Sequence, residues 1–256
     1  MSKFGKILSV LLFPALLALI FYIAFNVDYE QPYKITLIEL NGCEHLSSDK
    51  YFAYAGFDNK DNYDELTLPI IKSRLEKHPY VKRADVLYVG NGKVEVKIYE
   101  KEFWALLITG DREYVITRDY EVLPVLKYTQ QMYVPIISDT KLSGKIKPFV
   151  NVKKTNELIP AYKLLEAAKM VNPALYDNLS EIAYLGGNKL GVYFTFADYD
   201  LIVDKDDAAE EIYYFNALWD YIKNSPAAEK IEYIDLRYSG KIFLGLKQNG
   251  NEGNRS

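Results

Sequence analysis

The chain contains a single cysteine, Cys43, so it has no internal disulfide and no site that needs several thiolates, such as structural zinc or an iron–sulfur cluster. Histidine is nearly as scarce, with only His45 and His78. No Gly-rich phosphate loop, G-x-S-x-G elbow or H-E-x-x-H pair occurs. Positive charge is not in excess, since 31 Lys and Arg face 35 Asp and Glu for a net charge of -4. That balance gives no reason to expect nucleic acid, which needs clustered cations. Long apolar runs are also missing, apart from one near the N-terminus. Hydrophobic residues at 49% and charged residues at 26% exclude wholesale disorder.

The sparse chemistry reads as structural. Cys43 follows the turn dipeptide Asn41-Gly42, and no base is evident near it, so it reads as a small turn residue. His78 precedes Pro79 at a helix end, where a cation suits the helix dipole, and His45 lies beside Glu44 in a turn. Paired carboxylates for glycoside chemistry would have to come from Asp58/Asp61 or Asp204/Asp206/Asp207. These sit in turns or near helix starts, where Asp usually caps. The sequence therefore predicts a non-enzymatic protein with no cofactor, no metal, no small-molecule substrate and no nucleic-acid partner.

What is abundant is tyrosine, with 23 residues. Tyr suits strands and half-wet interfaces, because an apolar ring carries a polar tip. The one apolar run, Ile7 to Phe25, carries no charge. A membrane helix needs about twenty residues, so the run is just long enough to cross. Pro14 is tolerable in such a helix, and Tyr22 suits the outer interface. Lys3 and Lys6 before the run, against Asp28 and Glu30 after it, place the N-terminus in the cytoplasm and the bulk outside. A cleaved signal peptide has a shorter apolar core and a small-x-small site, and Phe25-Asn26-Val27-Asp28 offers none. The expectation is a single-pass anchor.

Beyond a connector containing Pro32, a strand from Ile35 closes at Asn41-Gly42. Ser47-Ser48-Asp49 supplies N-cap candidates for a short helix that Gly56 ends. Leu68, Ile71 and Leu75 mark a second helix, stopped by Pro79. Val81 to Val89 and Val94 to Ile98 form a hairpin around Gly90-Asn91-Gly92. Strand, helix, helix, strand, strand makes a three-stranded sheet with both helices on one face.

The second half predicts strands over Ala105–Ile108, Tyr114–Thr117, Val122–Leu126, Ile182–Leu185, Leu190–Phe196 and Tyr199–Val203. Helices are expected over Glu157–Val171 and Asp206–Asn224, the latter with Ile212, Phe215, Leu218, Trp219 and Ile222 on one face. Ile231 to Leu246 reads as strand, with Ser239-Gly240 as a turn or bulge. The fold class is thus α+β, with a mainly antiparallel sheet in the second domain.

At this point the chain resembles the FtsQ/DivIB family of bacterial cell-division proteins. Leu40-Asn41-Gly42 is similar to the family's turn after the first strand. Leu75 to Val86 (LEKHPYVKRADV) resembles its L-x-x-x-P-x-V-x-x-A-x-V run, and Val94 to Ala105 (VEVKIYEKEFWA) its exit strand. Ile234 to Gly240 (IDLRYSG) resembles its final strand signature. Departures are the missing Pro near Phe103-Trp104, the missing Gly in Asp119-Tyr120-Glu121-Val122, and Leu246 where some relatives place an aromatic.

The resemblance implies a cytoplasmic stub (1–6), a transmembrane helix (7–26), a linker (27–34), a POTRA domain (35–102), an FtsQ-type β domain (103–246) and a loose tail (247–256). It also implies a scaffold that holds FtsB/DivIC-type, FtsL-type and other divisome membrane proteins at the septum of the cell inner membrane, linked to septal peptidoglycan synthesis. The expected partner edge is the final strand, Glu232 to Leu246, with Arg237, Tyr238, Ser239, Gly240, Phe243, Gly245 and Leu246. Gly240 and Gly245 would leave room for a partner's close approach. Arg83 and Asp85 are candidates for a second surface. An envelope chaperone or translocation component and a cell-wall-binding module are the alternatives.

Overall fold

The first strand ends where the chain needs a residue without a side chain. Gly42 takes φ +84°, and a Cβ there would lie 2.2 Å from the carbonyl oxygen of Ile98. A left-handed conformation this close to neighbouring backbone admits only glycine. The computed structural model describes residues 12–22, 34–138, 142, 146–222, 225–226, 228–238 and 240–247. Residues 12–22 form a helix, α1, on the expected anchor; the rest of the run from Ile7 to Phe25 lies outside the described residues. Among the described residues no helix is long and apolar enough to cross a membrane.

The N-terminal unit runs β1 (Leu37–Asn41), α2 (Ser48–Ala55), α3 (Leu68–Glu76), β2 (Val81–Gly90) and β3 (Lys93–Glu100). The strands order β1-β3-β2, with β1 parallel and β2 antiparallel to β3. Alternation works as expected on β3: Val94, Val96 and Ile98 are buried against the helices, and the residues between them face outward. Tyr51 and Ala55 from α2, and Ile71 and Leu75 from α3, complete this core. Each Val, Leu or Ile among them contributes roughly 1.5–3 kcal/mol of burial. The Thr67 hydroxyl caps α3 by accepting from Ile70 N at 3.2 Å, and Gly56 ends α2 in the left-handed region. A 3-10 turn, Lys60–Glu65, lies between the helices and had no signal in the periodicity; it buries Tyr63.

The second unit contains β4 (Phe103–Thr109), β5 (Arg112–Thr117), β6 (Val122–Pro124), β7 (Ile136–Ser138), α4 (Ile159–Val171), α5 (Pro173–Asp177), β8 (Leu179–Gly186), β9 (Lys189–Phe194), β10 (Asp200–Asp204), α6 (Ala208–Ile222), β11 (Ile231–Tyr238) and β12 (Lys241–Leu246). They build a nine-stranded sheet, β12-β11-β10-β9-β8-β7-β4-β5-β6. Pairing is antiparallel except at β4–β7, β7–β8 and β10–β11. The sheet buries one face under α4 and α6, through residues such as Leu107, Ile182, Val192, Leu201 and Ile234.

Two points correct the sequence expectation. β7 and α5 are present where no element was predicted. Of the two readings for Ser239-Gly240, turn or bulge, the turn holds at Gly240 (φ +70°), with Tyr238 paired to Lys241, and the single final strand expected over Glu232–Leu246 is instead two, β11 and β12. β11 is consequently an interior strand, parallel to β10, and of the hairpin's two strands it is β12 that lies at an edge.

At the opposite end the sheet is covered on both faces. Phe103, Val115 and Leu123 point away from α4 and join the core of the N-terminal unit. Tyr80 fixes this junction: its hydroxyl donates to Pro124 O (3.1 Å), accepts from Leu126 N (2.8 Å) and lies 3.0 Å from Thr129 Oγ1. His45 stacks on Phe103 with ring centroids 3.5 Å apart, and its Nε2 lies 2.9 Å from Lys101 O.

Candidate functional site

The two ends of the large sheet differ in the number of layers upon them. β4 and β5 are buried on alternate sides, whereas β12 is exposed nearly throughout. Ile242 (47% exposed), Phe243 (47%), Leu244 (51%) and Leu246 (59%) form an apolar strand at the margin of the sheet. Among the described residues only β11 pairs with it. Such an edge presents a row of N–H and C=O groups able to bond an added strand. Leu244 stands opposite Ile234, on the helix-bearing face, and Phe243 opposite Asp235, on the other.

The sequence-predicted residues are distributed over the hairpin as follows. Arg237 and Tyr238 lie on β11, Gly240 in the turn, and Phe243, Gly245 and Leu246 on β12; Ser239 lies outside the described residues. Arg237 is fixed within the protein, donating from Nε (2.9 Å) and Nη2 (2.6 Å) to the buried Asp235 carboxylate. Those bonds hold the Asp235 carboxyl below its ordinary value against the desolvation that would raise it. Tyr238 is exposed and meets Phe243 edge-on at 5.0 Å. The space above Gly245 is taken by the chain's own Tyr233, whose ring would lie 2.1 Å from an added Cβ. Gly245 therefore admits Tyr233, not a partner, on that side.

Arg83 and Asp85 are in the other sheet, on β2. They pair at 3.3 Å, and the Arg83 guanidinium lies 3.8 Å from the Tyr99 ring. Nothing brings them to the β12 edge. Of the carboxylate candidates, Asp204 and Asp206 accept from Asn188 Nδ2 (2.6 and 3.1 Å), and Asp61 donates its backbone N–H to Asn59 Oδ1 at the head of the 3-10 turn. Among the described residues no group of three or more His, Cys, Asp or Glu could hold a metal ion. Burial, with the Glu100 charge adding, pushes the Cys43 thiol up to about 11, away from the reactive thiolate. His78 is buried and pushed down to about 4, first by burial and then by Lys101, so it is neutral at a helix end where the sequence suggested a cation.

Sequence reasoning missed the groove beside the edge. A cavity of about 640 Å³ lies between α6 and the hairpin, lined by Asp207, Glu210, Glu211, Tyr214, Tyr221 and Tyr238 among others. The available signal was the spacing of Asp207, Glu210, Tyr214, Ala217 and Tyr221, a helical stripe off the buried face.

No protein-family model matches the chain. No curated protein matches it either. Among solved structures, one similar chain is the major extracytoplasmic domain of the trans isomer of the bacterial cell division protein DivIB from Geobacillus stearothermophilus, with a TM-score of 0.31 and 12% identity over 50% of this chain and 98% of that one.

Proposed function

We propose that this protein is a non-enzymatic, membrane-anchored scaffold of the FtsQ/DivIB type, which captures partner chains by strand addition. In this reading α1 belongs to a single-pass anchor in the inner membrane, with the N-terminus cytoplasmic. The N-terminal unit is a POTRA domain, and β12 takes up the extracytoplasmic ends of FtsB/DivIC- and FtsL-type proteins at the septum. The observation that carries the reading is the exposed β12 edge, with Ile242, Phe243, Leu244 and Leu246 at the open margin of the sheet. Main-chain bonds supply affinity in strand addition, and flanking side chains select the partner.

Calorimetry of the full chain with FtsB/DivIC- and FtsL-type ectodomains tests this. Phe243→Glu places a charge on the edge and should weaken binding at least about tenfold, which is about 1.4 kcal/mol, while cooperative melting is kept. Binding unaffected by that change moves the site elsewhere, and no binding removes the reading.

A second reading, a cell-wall-binding module, has one observation in its favour: Tyr214, Tyr221 and Tyr238 line one groove. Soluble peptidoglycan fragments titrated in the same way distinguish the two.

A further inference from the structure

The α6 groove has a charge character that its neighbouring edge lacks. Three carboxylates line one wall: Asp207, Glu210 and Glu211. Tyr214 and Tyr221 continue that wall along the helix, and Tyr238 faces them from β11. Of the two cations in the lining, Arg237 is bonded twice to Asp235, and Lys241 sits at the hairpin turn with no ion pair among the described residues.

The carboxylates are held, not merely clustered. Tyr214 OH donates to Glu210 Oε1 at 2.7 Å, one helical turn apart. Glu211 is only 7% exposed. Its Oε2 accepts from Asp204 N at 2.7 Å, and its side chain lines the groove beside Asp207 and Glu210. A carboxylate largely withdrawn from water among other carboxylates is well satisfied by an incoming charged N–H donor. Burial first, and then the nearby Asp204, Asp207 and Asp235, raise the Glu211 carboxyl to about 7 against the lowering effect of the Asp204 backbone bond. Exposed tyrosine faces add attraction for the same kind of group.

We propose that this groove seats a basic side chain, arginine or lysine, carried by the segment that docks on β12. The inference rests on the strand-addition reading and adds what the partner must bring: an extended segment with a cation placed to reach over Ile242 into the groove. Ile242 lines the groove and belongs to β12, so edge and groove form one continuous surface. Charge complementarity then selects among strand-forming segments that the edge alone would accept equally.

Three capped, strand-forming peptides test this, identical except for one central arginine, citrulline or glutamate. Each is titrated into the full chain by calorimetry, with the amide signals of residues 241–246 followed in parallel. The arginine peptide should bind about tenfold more tightly than citrulline, and glutamate more weakly than either. The double variant Asp207→Asn, Glu210→Gln should erase the preference for arginine over citrulline. Both positions are exposed, and Asn retains the ability to cap.

Equal affinities for the three peptides, with shifts at residues 241–246, would keep the edge and overturn the groove. Preference that survives the double variant would overturn it as well. Absence of binding by every peptide also overturns it, and binding of FtsB/DivIC-type ectodomains then decides separately whether the edge reading stands.

Discussion

Tyr120 occupies the left-handed region at φ +66°, in the turn where the family resemblance would place a glycine nearby. A non-glycine residue there costs roughly 1 kcal/mol. Its ring is held in return: Tyr162 lies 4.3 Å away, the Lys153 ammonium 3.7 Å over the ring, and its hydroxyl donates to Glu166 Oε1 at 2.5 Å. Truncation should separate the two effects. Tyr120→Ala loses the ring and keeps the strain, whereas Tyr120→Gly loses both, so the glycine variant should be the more stable by about 0.5–1 kcal/mol in urea unfolding. Alanine matching or exceeding glycine would mean that the turn relaxes.

Glu211 gives a pH dependence of definite sign. Its folded carboxyl is raised to about 7 from 4.5, chiefly by burial, with the Asp204 backbone bond opposing. The folded state thus holds the proton more tightly than the unfolded one. Stability from this group is complete below pH 4.5, declines as the pH rises, and levels off above about 7. Glu211→Gln removes this dependence. The variant should gain on the parent between pH 4.5 and 7.5, by something of the order of 2 kcal/mol. Parallel stability curves across that range would contradict the assignment.

At the scale of elements, legibility in the sequence followed periodicity. β3 alternates cleanly after the Gly90-Asn91-Gly92 turn that joins it to β2, and α3 carries Leu68, Ile71 and Leu75 between Thr67 and Pro79, so the N-terminal order was readable. β7 is three residues long, too short for a period, and α5 is a single turn after Pro173. At the hairpin the turn was legible in Gly240, but the division into an interior and an edge strand was not. Burying Asp235 beside Ile234 and Leu236 breaks alternation on β11, because the Arg237 pair makes that burial tolerable. The edge residues Phe243 and Leu246 were visible as candidates. The groove was not, because it exists only once the hairpin stands beside α6.

Gly245 and Tyr233 act as a unit within that hairpin. Gly245→Ala must displace an exposed ring rather than backbone, so the loss should be modest, about 1 kcal/mol. In Tyr233→Ala the same change should cost almost nothing, giving a coupling readable by a double-mutant cycle. Additive effects would mean that the ring does not lie over the glycine.

Across the whole molecule, the two units share a core through Phe103, Val115 and Leu123, and Tyr80 ties them by main-chain bonds. Tyr80→Phe would leave Leu126 N–H and Pro124 C=O without that partner, at a cost of about 1–3 kcal/mol. The parent should unfold in one cooperative step, and the variant at lower denaturant with an unchanged slope. Two separate transitions in the parent would show the junction to be energetically slight.

On the proposed scaffold reading, attachment at one end of the sheet and an open strand at the other would present β12 at a fixed place relative to the N-terminal unit. The most direct test is amide hydrogen exchange of the full chain, alone and with an FtsB/DivIC-type ectodomain. Slowed exchange concentrated in residues 241–246 is predicted, because strand addition bonds those amides directly. Protection at the β2 edge, residues 81–90, with 241–246 unchanged would contradict the account.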